Sequence, residues 1–166
     1  MKDISGVKTC QKSYIQQLLA KVYFKTQNFV SEVNDNQNLE NLLGNKSQEK
    51  YDIITCLSVT KWIHLNYGDV GIKFLFHKVY QSLNTESESG GIFILEPQPW
   101  KSYKKKRELN DNVKDHFENI KFKPTDFHKY LMEVVGFKRS ETLFVNGSSE
   151  EKKGFKRRPL VFYFNK

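Results

Sequence analysis

Cysteine is scarce in this chain of 166 residues. Cys10 and Cys56 are its only two, too few for a disulfide framework. Cys56 sits inside an apolar run, where a thiol behaves as a small buried hydrophobe. Long hydrophobic runs are also missing: nowhere do about eighteen apolar residues follow one another, the length a membrane-spanning helix needs. The first twenty or so residues lack the apolar centre of a signal peptide. Carboxylates are outnumbered, with 19 Asp and Glu against 27 Lys and Arg, a net charge of +8, which favours an anionic partner such as nucleic acid or phosphate. Apolar residues are not lacking: 38% of the chain is hydrophobic and 14% aromatic, and that composition excludes a disordered chain. Together these features predict one domain over residues 1–166. They further predict a soluble protein of a reducing compartment, nuclear or cytoplasmic, with no membrane contact.

Apolar periodicity orders the rest. Residues 13–24 space Tyr14, Ile15, Leu18, Leu19 and Val22 as a helix does, running into a possible short strand over 21–26. A polar connection follows, in which Leu39, Leu42 and Leu43 form one helical turn ended by Gly44. Residues 51–58 are a compact β-branched and apolar run that reads as a strand covered on both faces in a parallel sheet. Asp69 opens a helix carrying Val70, Phe74, Leu75, Val79 and Leu83 at helical intervals. Ile92-Phe93-Ile94-Leu95 is a second buried strand, and strand, helix and strand in that order make a βαβ unit. Lys101 to Arg107 is a basic run broken by Tyr103 that leads into a polar helix through Phe117. Another begins near Lys123-Pro124-Thr125-Asp126 and stops at Gly136. Residues 139–146 and 160–165 read as two final strands, and adjacent strands without a crossover helix pair antiparallel. An α/β sheet that closes with an antiparallel hairpin is the Rossmann-like pattern of the class I methyltransferases, an analogy of architecture only.

Two segments carry the chemistry. Leu57-Ser58-Val59-Thr60-Lys61-Trp62-Ile63-His64-Leu65-Asn66 directly follows the first strand, and Glu96-Pro97-Gln98-Pro99-Trp100 directly follows the second. Both therefore stand where open α/β sheets bind ligands. Lys61, His64, Gln98, Lys101 and Lys104 offer cationic and amide groups that can hold a phosphate. Trp62, Trp100 and Tyr103 offer flat faces on which a terminal base can stack. Each has a plainer reading: Trp62 as helix core, His64 as a hydrogen-bonded structural residue, Pro97 and Pro99 as strand terminators. The basic runs 104–107 and 152–158 read as solvated surface, the first also as a weak nuclear-localisation patch.

Residues 51–66, residues 91–100 and Lys153-Gly154-Phe155-Lys156-Arg157 together resemble the methylphosphate capping enzymes, a family of RNA methyltransferases. The likeness covers residues 20–166, and its two central motifs are long and specific. It implies S-adenosylmethionine as cofactor, no metal, and the 5′ phosphate of a small RNA as substrate, with ribonucleoprotein partners possible. It implies that Cys56, Leu57 and Ser58 lie along the cofactor and that Asn28 and Phe29 lie beside its adenine. By the same resemblance the 60–64 and 96–100 segments border the meeting place of cofactor and RNA end, and the loop holding Lys153, Phe155 and Arg157 closes over that end. Lys61, His64 and Gln98 are then the candidate catalytic groups. Trp62, Trp100, Lys101, Tyr103 and Lys104 are candidate RNA contacts.

One family feature is missing. Class I methyltransferases hold the cofactor with a Gly-rich turn after the first strand and an acidic residue ending the second. Before Tyr51 the only glycines are Gly6 and Gly44, and neither follows a buried strand. The expected sheet is therefore N-terminally truncated, with unpaired backbone groups along its leading strand. Three accounts stay open: a fragment or isoform of a longer enzyme, a shortened homologue that binds RNA or acts as a scaffold without turnover, and a chain whose sheet a partner completes. Direct pairing of residues 21–26 with the 51–58 strand is a further local remedy.

Overall fold

A computed structural model describes residues 22, 24–33, 38–44, 49–143 and 158–166. Residues 13–21, which carry most of the first expected helix, lie outside it. The elements are α1 (Leu39–Leu42), β1 (Ile53–Leu57), α2 (Thr60–Ser82), β2 (Ile92–Glu96), α3 (Trp100–Lys104), α4 (Asp111–Asn119), a 3-10 turn (Pro124–Asp126), α5 (Phe127–Tyr130) running into a π turn (Leu131–Val135), β3 (Arg139–Leu143) and β4 (Leu160–Phe164). Residues 22 and 24–26 take part in no strand, and Phe24 is 96% exposed, so the expected 21–26 strand is absent from its described part.

The four strands form one sheet in the order β1-β2-β4-β3. β1 and β2 are parallel, joined through α2, as the βαβ reading requires. β4 inserts antiparallel between β2 and β3, so the last strand in sequence is not the edge strand. The connection between β3 and β4 lies among the undescribed residues.

α2 starts nine residues before the helix that periodicity predicts, at Thr60, and breaks at Gly68, whose φ of 59° and ψ of −162° belong to a region that only glycine occupies without strain. Its second arm begins at Asp69, the predicted start. The basic run 101–107 begins as the short helix α3, and the polar helix expected to follow it is α4. Asn110 caps α4, its side chain accepting from the Val113 N–H at 2.8 Å, and a local cap of that kind outweighs the weak periodicity between the two segments. Gly136 ends the α5 segment with φ of 101°, the left-handed stop that glycine favours.

Strand register sets Ile54, Cys56, Phe93, Leu95, Val161 and Tyr163 on one face. There they pack with Phe74, Phe76, Val79, Phe127, Leu131 and Phe137 from the helices and turns. A smaller cluster of Leu65, Tyr103, Val113 and Ile120 joins α3 and α4 to the first arm of α2. The other face of β1 departs from expectation: Ile53 is 55% and Leu57 47% exposed. The strand is covered on one face among the described residues, because the helix it feeds folds back on that face alone.

Candidate functional site

β1 ends in a turn that a β-branched or bulky residue would resist. Ser58 has φ of 58°, a conformation costing a non-glycine residue roughly 1–2 kcal/mol. Side chains of the β2–α3 segment hold it there. Ser58 Oγ donates to Glu96 Oε2 at 2.7 Å, and the Ser58 carbonyl accepts from the Gln98 side-chain amide. The other end of that amide, Gln98 Oε1, accepts from Thr60 Oγ1 at 2.8 Å and from the Lys61 N–H at 2.9 Å. One buried glutamine thus clasps the start of α2 to the end of β2. The two segments singled out in the sequence do meet at the strand ends.

Arg158, just before β4, closes the cluster. Its guanidinium donates to Ser58 Oγ at 2.8 Å and to Glu96 Oε1 at 3.3 Å. The Lys61 ammonium stands near enough to Arg158 and Lys106 that its pKa is lowered, first by partial burial and then by those two positive charges. The Arg158 guanidinium thus meets one buried carboxylate, and Lys61 and Lys106 add positive potential nearby, a setting that suits an anion such as a phosphate. The sequence places Thr60 in the bordering 60–64 segment and Lys106 and Arg158 in the two basic runs, without singling out any of the three. The cue for Arg158 was available in its position, an arginine next to the proline that opens the last strand.

Other predicted site residues lie inside. His64 is fully buried, with Nε2 2.8 Å from Asp69 Oδ1, and is packed among Tyr103, Phe122 and Phe127. Burial lowers its pKa despite the opposing pull of Asp69, so the ring is neutral and faces no solvent. Its geometry is that of a brace between the arms of α2, in place of a phosphate-holding group. Gln98 is 2% exposed and engaged as described, a positioning residue by geometry. Tyr103 is likewise fully buried in the α3–α4 cluster and offers no face for a base. These residues point inward because the strand-end segments turn back over the sheet, a choice no local pattern encodes.

The remaining aromatic and basic candidates are accessible. Trp62 is 38% exposed, with the Lys61 ammonium 4.5 Å from its ring centroid. Trp100 is half-buried, stacked on Phe117 with centroids 5.0 Å apart and planes 10° apart. Lys101 and Lys104 stand exposed on α3. Lys153, Phe155 and Arg157 fall outside the described residues.

Of the expected cofactor residues, Phe29 and Cys56 line one apolar crevice of about 190 Å³ with Val59, Ile63 and Leu75. Burial pushes the Cys56 thiol up to about 12, so it is an uncharged wall and not a nucleophile. Asn28 Nδ2 donates to Tyr67 Oη at 2.6 Å, and Asn28 Oδ1 accepts from the Val30 N–H at 3.1 Å, which fixes the loop holding Phe29. Leu57 is exposed at the sheet edge and Ser58 half-buried beneath Arg158. Among the described residues no group of three or more His, Cys, Asp and Glu side chains is arranged to hold a metal ion. None of the described helices is long and apolar enough to cross a membrane.

Comparison with known proteins places this geometry in a family context. The family model of Bicoid-interacting protein 3 (Bin3) matches residues 51–166. A probable RNA methyltransferase of Arabidopsis thaliana is 39% identical over 141 residues, 85% of this chain and 39% of that protein. The human 7SK snRNA methylphosphate capping enzyme is 38% identical over 143 residues, 86% of this chain and 19% of that protein. The Drosophila melanogaster U6 snRNA methylphosphate capping enzyme is 41% identical over 114 residues, 68% of this chain and 36% of that protein. The chain thus spans less than two fifths of the length of each of these relatives.

Proposed function

The chain belongs to the Bicoid-interacting protein 3 (Bin3) family, and from that membership we propose that it serves methyl transfer from S-adenosylmethionine to the 5′ phosphate of a small RNA. The observation that carries the reading is the Ser58–Glu96–Gln98 cluster at the ends of β1 and β2, which the Arg158 guanidinium closes and to which Gln98 ties the backbone of Lys61. The order β1-β2-β4-β3, with an antiparallel closing pair, supports reading the sheet as the closing half of a class I methyltransferase sheet.

The chemistry asks little of the protein beyond placement. A terminal phosphate has its second ionisation near pKa ~6, so its oxygen is already an anionic nucleophile at neutral pH and needs no strong base. Lys61, Lys106 and Arg158 hold and orient the phosphate, and Glu96 keeps Arg158 in place between turns of binding. Positioning of this kind supplies most of the rate when the nucleophile is preformed. S-adenosylmethionine, when bound, supplies a methyl group on a positively charged sulfur. The crevice of Phe29, Cys56 and Val59 fits its flat adenine. Among the described residues no Gly-rich turn follows a strand to take the remainder of the cofactor.

The test is transfer of labelled methyl from S-adenosylmethionine to a short RNA bearing a 5′ monophosphate, beside the same RNA with a 5′ hydroxyl. Incorporation confined to the phosphorylated RNA is expected; absence of incorporation into either overturns the reading for this chain. Lys61→Ala is expected to reduce the preference for the 5′ phosphate about tenfold in fluorescence anisotropy, the worth of one charge-assisted hydrogen bond. Its unfolding midpoint should not move, because the Lys61 ammonium lies outside the core.

A further inference from the structure

All four prolines of the chain, Pro97, Pro99, Pro124 and Pro159, line a single open cavity of about 340 Å³. They come from three places in the sequence: the exit of β2, the 3-10 turn and the entry to β4. Trp100 lines the same cavity, and its ring is fixed from behind by Phe117 and by Tyr103, whose centroid is 5.1 Å away. Arg158 forms another part of the lining, so the cavity opens directly onto the cationic recess. The Lys123 ammonium stands 5.8 Å from the Trp100 centroid.

Proline rings have locked φ and no N–H. A wall built from them is rigid before any ligand arrives, and it presents carbon-bound hydrogens in place of backbone donors. The polar side chains on the lining are engaged elsewhere: Gln98 with Ser58, Thr60 and Lys61, Thr125 with Asp126 at 3.3 Å, and Arg158 with Ser58 and Glu96. The result is a stiff apolar slot with an aromatic side, a cation over that aromatic and a second cation where the slot meets the recess. A flat heterocycle joined to an anion matches this pattern.

We propose that the proline-walled slot takes the base of the RNA's 5′-terminal nucleotide, unstacked from its neighbour, while the phosphate of that nucleotide enters the Lys61–Arg158 recess. The inference rests on the phosphate reading above. Stacking supplies the affinity, and the engaged polar groups leave little to read the base edge, so the slot senses that a base is present more than which base it is. A terminal nucleotide held in a blunt duplex must unpair first and binds less well.

The full chain is titrated with short single-stranded RNAs that share one sequence: one with a 5′ monophosphate, one with a 5′ monophosphate on an abasic first nucleotide, and one with a 5′ hydroxyl. The abasic RNA is expected to bind about 10- to 100-fold more weakly, the scale of one lost base stack. 2-Aminopurine at the first position should be quenched on binding, and at the third position should not. Thr125→Trp, at an exposed rim position, fills the slot without entering the core. It should impose the same penalty on the intact RNA and none on the abasic one, and unlike Trp100→Ala it removes no packing against Phe117. Equal affinity for intact and abasic RNA, with the 5′-phosphate preference preserved, overturns the slot and leaves the phosphate reading standing. A base penalty without any 5′-phosphate preference supports the slot and overturns the phosphate reading. Binding of none of the RNAs overturns both.

Discussion

Gln98→Ala is expected to destabilise the protein by about 3 kcal/mol and to lower its thermal midpoint by roughly 10 °C. The reason is the number of groups that one amide satisfies. Its removal strands the Ser58 carbonyl, the Thr60 hydroxyl and the Lys61 N–H at a place where Gln98 itself is 2% exposed. Each buried group left without a partner costs about 1 kcal/mol or more. Ser58 also loses one of its three side-chain contacts, the only one to its backbone, so the β1–α2 turn relaxes and Lys61 moves away from Arg158. A loss of 5′-phosphate preference should therefore accompany the loss of stability, followed by anisotropy and by thermal unfolding of the same preparation. Gln98→Glu retains the acceptor and loses the donor, placing a charge against the Ser58 carbonyl, and should be no better tolerated. An unchanged midpoint in Gln98→Ala would show that the two strand-end segments are held together by something else.

Asp69→Ala is expected to cost a similar amount, about 3 kcal/mol. Asp69 Oδ1 holds His64, and Oδ2 accepts from the Lys121 and Phe122 N–H groups at 3.1 and 3.0 Å. This one carboxylate ties both arms of α2 to the segment leading into the 3-10 turn. It also shapes the pH dependence. Burial holds the folded-state pKa of His64 below the ordinary imidazole value of about 6.5, and burial does the same for His77. The unfolded chain thus takes up protons first as pH falls, and stability declines from about pH 6.5 downward. Burial of Asp69 works to raise its pKa, but the hydrogen bonds from His64, Phe122 and Lys121 outweigh it and hold the group below 3.8. Asp69 therefore contributes stability that is complete above about pH 4 and is lost below it. Urea unfolding across about pH 7.5 to pH 3 should show a steady fall in wild type. Asp69→Ala should keep the histidine part of that fall and lose the part below about pH 4. A wild-type stability that rises on acidification would contradict a neutral, buried His64.

The strand-end residues explain why part of the candidate site was legible in the sequence and part was not. That Lys61 and Gln98 would come together followed from two short apolar runs, each with a polar segment directly behind it, because parallel neighbours must present their trailing ends on one side. Which of those polar side chains would face outward did not follow. His64 and Gln98 both looked like groups for an anion, and both turned inward to serve the backbone and Asp69. Arg158 lies a hundred residues from Ser58 and reaches it only because β4 inserts beside β2. Tyr103 looked like a stacking face until α3 and α4, separated by the Asn110 cap, closed over it.

From the sequence alone came strands within 51–58 and at 92–95, the helix from Asp69, the stop at Gly136, the basic balance and the two trailing segments, all carried by period, composition and nearby turn residues. The tertiary structure decided the break at Gly68, the insertion of β4, the single covered face of β1, the Gln98 clasp and the gathering of four distant prolines around Trp100. The division has a physical cause: periodicity and capping act over a few residues, whereas burial of a polar group or closure of a slot depends on which distant segments arrive at the same strand ends.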